Sequence, residues 1–98
     1  MAKRLSNPHP GEILNMDFLE PMKLSQSAVA RAIGVAPRRI NEIVLGKRAV
    51  TAETDLLLCR YFGISEGIFL GLQMDYELEE ARRKSGARVA KVRPLKAA

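Results

Sequence analysis

Tryptophan is absent from the 98 residues, and cysteine and histidine occur once each. A single thiol, Cys59, closes no internal disulfide and builds no cysteine zinc cluster, which fits a reducing compartment. Its apolar neighbours Leu56, Leu58 and Phe62 mark it as a core residue. The lone His9 has no second ligand at metal spacing and is read as a surface residue. With no Ser–His or His–carboxylate pair and no phosphate-cradling glycine loop, the sequence does not read as an enzyme. Neither a cofactor nor a metal is expected. No apolar run approaches the roughly 18 residues that cross a bilayer, so no membrane partner is expected. The opening MAKRLSNPHP has basic residues but no apolar run behind them, so a secretory leader is not expected either. The expected location is cytoplasmic and nucleoid-associated. No segment alternates apolar and polar residues long enough to argue for a sheet.

What is present is 47% hydrophobic and 28% charged, the balance of a soluble globular chain with one domain, expected over 8–84, and a flexible basic tail over 85–98. The formal charge is +5, and its distribution is uneven. Residues 23–48 hold Lys23, Arg31, Arg38, Arg39, Lys47 and Arg48 against the single acid Glu42. Residues 49–81 are strongly acidic, and residues 82–98 carry basic charge alone. A surface with one positive side suits a polyanion.

Helical spacing recurs along the chain. A first helix starts near His9–Pro10, buries Ile13, Leu14 and Phe18, and is expected to end at Pro21. Ser25 caps a second helix carrying Ala28, Val29, Ala32 and Ile33, with Leu24 and Val29 placed as a hydrophobic staple. Pro37 opens a third with Ile40, Ile43 and Val44 on one face, and Gly46 ends it. Thr51 caps a fourth, in which Leu56, Cys59 and Phe62 are expected to point one way, and Gly63 ends it. Ser65 is expected to cap a fifth that reaches Lys84, where Ser85–Gly86 stops it. Glu79–Arg83 and Glu80–Lys84 are spaced as i,i+4 ion pairs.

The stretch 26–45, QSAVARAIGVAPRRINEIVL, meets the demands of a helix-turn-helix together. Ala30 is small enough for two helices to cross closely. Gly34 accepts the positive φ of the corner. Val29 and Ile33 face Val35, Ile40 and Ile43 across it. The third helix is then left with Pro37, Arg38, Arg39, Asn41 and Glu42 outside. Arginine offers paired donors to guanine and asparagine matches adenine. Ser25, Gln26 and Ser27 lie at a helix start that favours an anion, and Lys47 and Arg48 follow the third helix as phosphate contacts. The fold class expected is therefore all-α, five helices with a helix-turn-helix, an arrangement that resembles the lambda-repressor-like domains. The fifth helix has apolar positions beyond one core stripe. Phe69, Leu70, Leu72, Met74 and Leu78 are the candidate dimer residues.

NPHPGEIL, LSQSAVARAIGV, RRINEIVLGKRAVTAET, RYFG and LGLQMDYEL, in that order over residues 7–81, resemble the HigA-type antitoxins of the Xre group, also called virulence-associated protein I. The resemblance implies a homodimer on a palindromic operator that represses its own operon and neutralises a co-encoded RelE-like toxin, a ribonuclease that cuts mRNA on the ribosome. It places the start of the second helix and the third helix against DNA, Lys47 and Arg48 on phosphate, and the fifth helix at the dimer. The toxin surface stays open among the N-terminal segment, the fifth helix and the tail. A stand-alone Xre-family regulator is the alternative, and a protein-binding module whose helix-turn-helix no longer touches DNA is a third. Leu45, Phe69 and Asp55 depart from the family pattern, where asparagine, tryptophan and a small apolar residue are usual. A nearby arginine is the expected partner of Asp55.

Overall fold

The computed structural model describes residues 6–96. The first five residues of the opening read for a leader, and the last two of the expected tail, lie outside them. Five helices follow one another with no strand among the described residues. Helix α1 is continuous but changes pitch: α-helical over Pro10–Ile13, π-helical over Leu14–Leu19, α-helical again over Glu20–Met22. Helix α2 spans Gln26–Ile33, α3 Pro37–Val44, α4 Ala52–Phe62 and α5 Ile68–Ala90.

The ends follow local chemistry. Ser25 Oγ accepts the Ala28 N–H at 3.0 Å, and Thr51 Oγ1 accepts the Thr54 N–H at 3.3 Å. Three C-termini close in one manner, with a left-handed residue and an N–H reaching back five residues. These are Lys23 with Leu24 N–H to the Leu19 carbonyl, Gly34 with Val35 to Ala30, and Gly63 with Ile64 to Cys59.

Two helix boundaries differ from expectation. Pro21 does not end α1, because the wide π-turn ahead of it shifts the carbonyl ladder that its ring would strike in an ordinary α-helix. Helix α5 starts at Ile68, with Gly67 rather than Ser65 at its N-cap, and it runs through Ser85–Gly86 to Ala90. A serine and a glycine inside a helix cost only about 1 kcal/mol or less each, too little to end a long one.

The core joins all five helices. Leu14, Leu19, Val29, Ala30, Ile40, Ile43, Leu58, Cys59 and Phe69 are buried, and Val50 joins them from the loop before α4. Phe18, Phe62 and Phe69 from α1, α4 and α5 cluster with ring centroids 4.7, 5.2 and 6.4 Å apart. In α4 Cys59 is buried and Phe62 packs against the core as expected, but Leu56 is exposed and Leu58 is buried in its stead.

His9, expected at the surface, is buried. Its Nδ1 accepts the Gly11 N–H at 2.9 Å while Glu12 Oε2 accepts the His9 N–H at 3.1 Å, a reciprocal cap for α1. Its ring meets Tyr76 of α5 edge-on at 4.9 Å. Beside it, Asn7 Nδ2 donates to the Tyr76 carbonyl and to Glu80 Oε2, so the segment before α1 is strapped along α5.

Candidate nucleic-acid interface

Helix α3 is held from three sides. Ile40 and Ile43 are fully buried beneath it. Ala30, also without exposed surface, lets α2 cross close by, and Gly34 takes φ +79° at the corner. From the third side α1 presses its first turn on the end of α3. At Gly11 a side-chain carbon would run into the Ile43 carbonyl, so only glycine permits this approach.

With its inner face filled, α3 turns its polar residues outward. Pro37 occupies the first turn and is exposed, as is Arg38, whose side chain is 84% accessible. Asn41 is exposed and donates from Nδ2 to Gln26 Oε1 at 3.1 Å, tying the third helix to the start of the second. Ser25 and Ser27 flank Gln26 on the same exposed turn, and the Ser25 hydroxyl is the cap of α2. Arg39 is half-buried and lines a small polar cleft of about 190 Å³ with Arg48, Thr51 and Glu53. Lys47 and Arg48 stand exposed in the loop after α3.

Glu42 is placed differently from its neighbours. Its carboxylate accepts from Arg48 Nε at 2.8 Å and from Arg38 Nε at 3.3 Å. The Arg48 hydrogen bond is the main reason its carboxyl titrates below the usual range. Thus Gln26 and Asn41 form one linked pair, and Arg38, Glu42 and Arg48 form one linked chain.

The candidate dimer residues of α5 divide. Phe69 is fully buried in the chain's own core and has no surface left for a partner. Leu72 is half-buried against that core, and Leu70 is half-buried. Met74 and Leu78 are open, at 60% and 48%. Further along, Leu78, Ala81, Val89 and Ala90 line an apolar groove of about 570 Å³ with Arg82, Ser85 and Gly86.

Two positioning contacts escaped the sequence reading. Asp55 pairs with no arginine among the described residues. It is buried and accepts the Gly67 N–H at 2.6 Å and the Leu70 N–H at 2.9 Å, so a carboxylate of α4 caps the start of α5. Gln73 of α5 is also buried, and its Oε1 accepts the Val50 N–H at 2.9 Å, anchoring the loop that carries Lys47 and Arg48. Nothing in the local sequence marks either partner. The His9–Glu12 spacing, by contrast, is that of a capping box.

The helix-turn-helix family profile matches residues 16–69. Virulence-associated protein I of Dichelobacter nodosus is 49% identical over 75 residues, covering 76% of this chain and 69% of that protein. The structure of Pseudomonas aeruginosa antitoxin HigA with the higBA promoter superposes with a TM-score of 0.87 at 35% identity, over 93% of this chain and 100% of that one. Antitoxin GraA in complex with its operator superposes with a TM-score of 0.88 at 32% identity, over 99% of each chain. A chain with this glycine corner and buried α3 seam, matched by that profile and by these relatives over most of its length, belongs to the Xre-type helix-turn-helix proteins that include virulence-associated protein I and the HigA antitoxins.

Proposed function

We propose that the protein is an operator-binding antitoxin: a homodimer that places α3 of each copy in the major groove, represses its own operon and neutralises a co-encoded RelE-like toxin in the cytoplasm. The observation that carries the reading is the exposed edge of α3. Arg38 and Asn41 stand outward beside Gln26 and Arg48, while Ile40 and Ile43 lock the helix from below. Likeness to structures named as promoter and operator complexes supports it. In this reading Arg38, Arg39 and Asn41 meet bases or phosphates. Lys47, Arg48 and the α2 start of Ser25, Gln26 and Ser27 hold the backbone. A two-fold dimer sets its two α3 helices about 34 Å apart, one turn of B-DNA.

The test has two parts. Arg38→Ala/Arg39→Ala is expected to keep its helix content but lose discrimination between the upstream region of its own gene and unrelated DNA. Wild-type affinity is expected to fall steeply with salt. Unchanged discrimination in a gel-shift series counts against α3 as the reading helix. For the toxin, co-expression with the neighbouring gene is expected to rescue growth and yield a co-purifying pair. DNA selectivity without either result leaves a stand-alone regulator.

A further inference from the structure

Glu42 is an acid in the middle of a surface suited to a polyanion. A carboxylate that merely faced the phosphates would weaken binding, so its place needs a reason. Its contacts supply one. The backbone carbonyl of Glu42 accepts the N–H groups of Lys47 and Arg48 at 2.8 and 3.2 Å, which closes the loop onto the end of α3. One carboxylate oxygen takes both Nε and Nη2 of Arg48, each at 2.8 Å, and the other takes Nε of Arg38 at 3.3 Å. Side-chain exposure rises outward from the acid: 27% for Glu42, 46% for Arg48 and 84% for Arg38. Guanidinium has five N–H donors, so each arginine keeps donors free on its outer edge.

We infer that Glu42 is a positioning residue for DNA recognition, which aims Arg48 and Arg38 at the duplex without itself touching it. This rests on the operator-binding reading. Two effects follow from the geometry. An arginine already held in place loses less side-chain freedom when it meets its target. A local negative charge also offsets the undirected pull of the cluster on any phosphate chain, so attraction to arbitrary DNA drops while directed contacts remain. Both raise the ratio of operator to non-specific affinity.

The experiment measures binding of the full chain to two duplexes of equal length and base composition, its own upstream region and a scrambled sequence, at two salt concentrations. The proteins are wild type, Glu42→Ala, Arg48→Ala and the double variant. Glu42→Ala is expected to bind the scrambled duplex as well as wild type or better, and to lose about tenfold in the operator-to-scrambled ratio, the size of one base contact. In the double variant the losses are expected to be strongly non-additive, because Glu42 acts through Arg48. Glu42→Gln keeps an acceptor but no charge and is expected to recover part of the ratio. Should Glu42→Ala melt early by circular dichroism, Glu42→Gln takes its place in the cycle, with a smaller loss of ratio and the same non-additivity. A ratio that is unchanged or improved, or additive losses, overturns the inference while operator binding stands. Failure of wild type to prefer the upstream duplex sinks both.

Discussion

Asp55 concentrates more of the fold's polar balance than any neighbouring surface charge. Its two oxygens satisfy two N–H groups at the start of a helix, Gly67 and Leu70, from a buried position. Removing an acceptor of that kind leaves orphan donors out of reach of water. Asp55→Ala is expected to lose about 3 kcal/mol of unfolding free energy in urea, and Asp55→Asn less, since one oxygen remains. An exposed salt bridge such as Glu79–Arg83, 2.9 Å long, contributes far less, because water screens both charges. His9 gives the fold a pH dependence. Burial lowers its pKa from 6.5, against the opposing pull of Glu12 and Glu77. The folded state prefers neutral imidazole, whose Nδ1 must keep a lone pair for the Gly11 N–H. Its stabilising contribution is therefore complete above 6.5 and is lost as pH falls through the depressed folded value. Melting temperature is expected to drop between about pH 7 and pH 5, and His9→Asn, which retains a capping acceptor, is expected to flatten that part of the curve.

Among the helices, α3 is braced by α1 as well as by its helix-turn-helix partner. The contact works because Gly11 brings backbone against backbone, next to the Ile43 carbonyl. Gly11→Ala is expected to cost about 3 kcal/mol, since the clash meets main chain that cannot yield. The control is Gly71 in α5, where an added carbon meets nothing within 4 Å. Gly71→Ala is expected to stabilise by about 0.5–1 kcal/mol through the unfolded state. Equal effects in thermal melts would mean that α1 does not brace α3. The helix-turn-helix was legible along the chain because its requirements are local: Ala30, Gly34, Pro37 and the Ile40–Ile43 seam lie within a few turns of one another. The brace at Gly11 was not legible, because it pairs residues 32 positions apart whose backbones meet only in the folded chain.

The molecule is more extended than its length requires. Its radius of gyration is 16.7 Å, against about 13 Å for a compact chain of this size. Helix α5 causes this, since its 23 residues span about 35 Å and outrun the core. Beyond Gln73 it bears Met74, Leu78 and Val89, each 48% exposed or more, and the groove that begins at Leu78. Apolar surface of this kind on a projecting helix suits a second copy in the proposed dimer. Light scattering at micromolar concentration is expected to give the dimer mass. Leu78→Lys with Val89→Lys is expected to give a monomer of unchanged helix content. A wild-type monomer would refute the role of this face.

Short-range chemistry was enough to read the all-α class, the caps at Ser25 and Thr51, the glycine corner and the outward polar edge of α3, because each depends on residues less than about three turns apart. What folding alone could assign were the partners of polar groups distant in sequence. Asp55 and Gln73 became anchors for backbone N–H groups, His9 became a buried cap, Phe69 was committed to the core, and Glu42 was paired with two arginines. A pattern along one chain shows which face of a helix is apolar. It carries no record of which distant donor or acceptor comes to lie opposite a given side chain, and that pairing is set by three-dimensional packing.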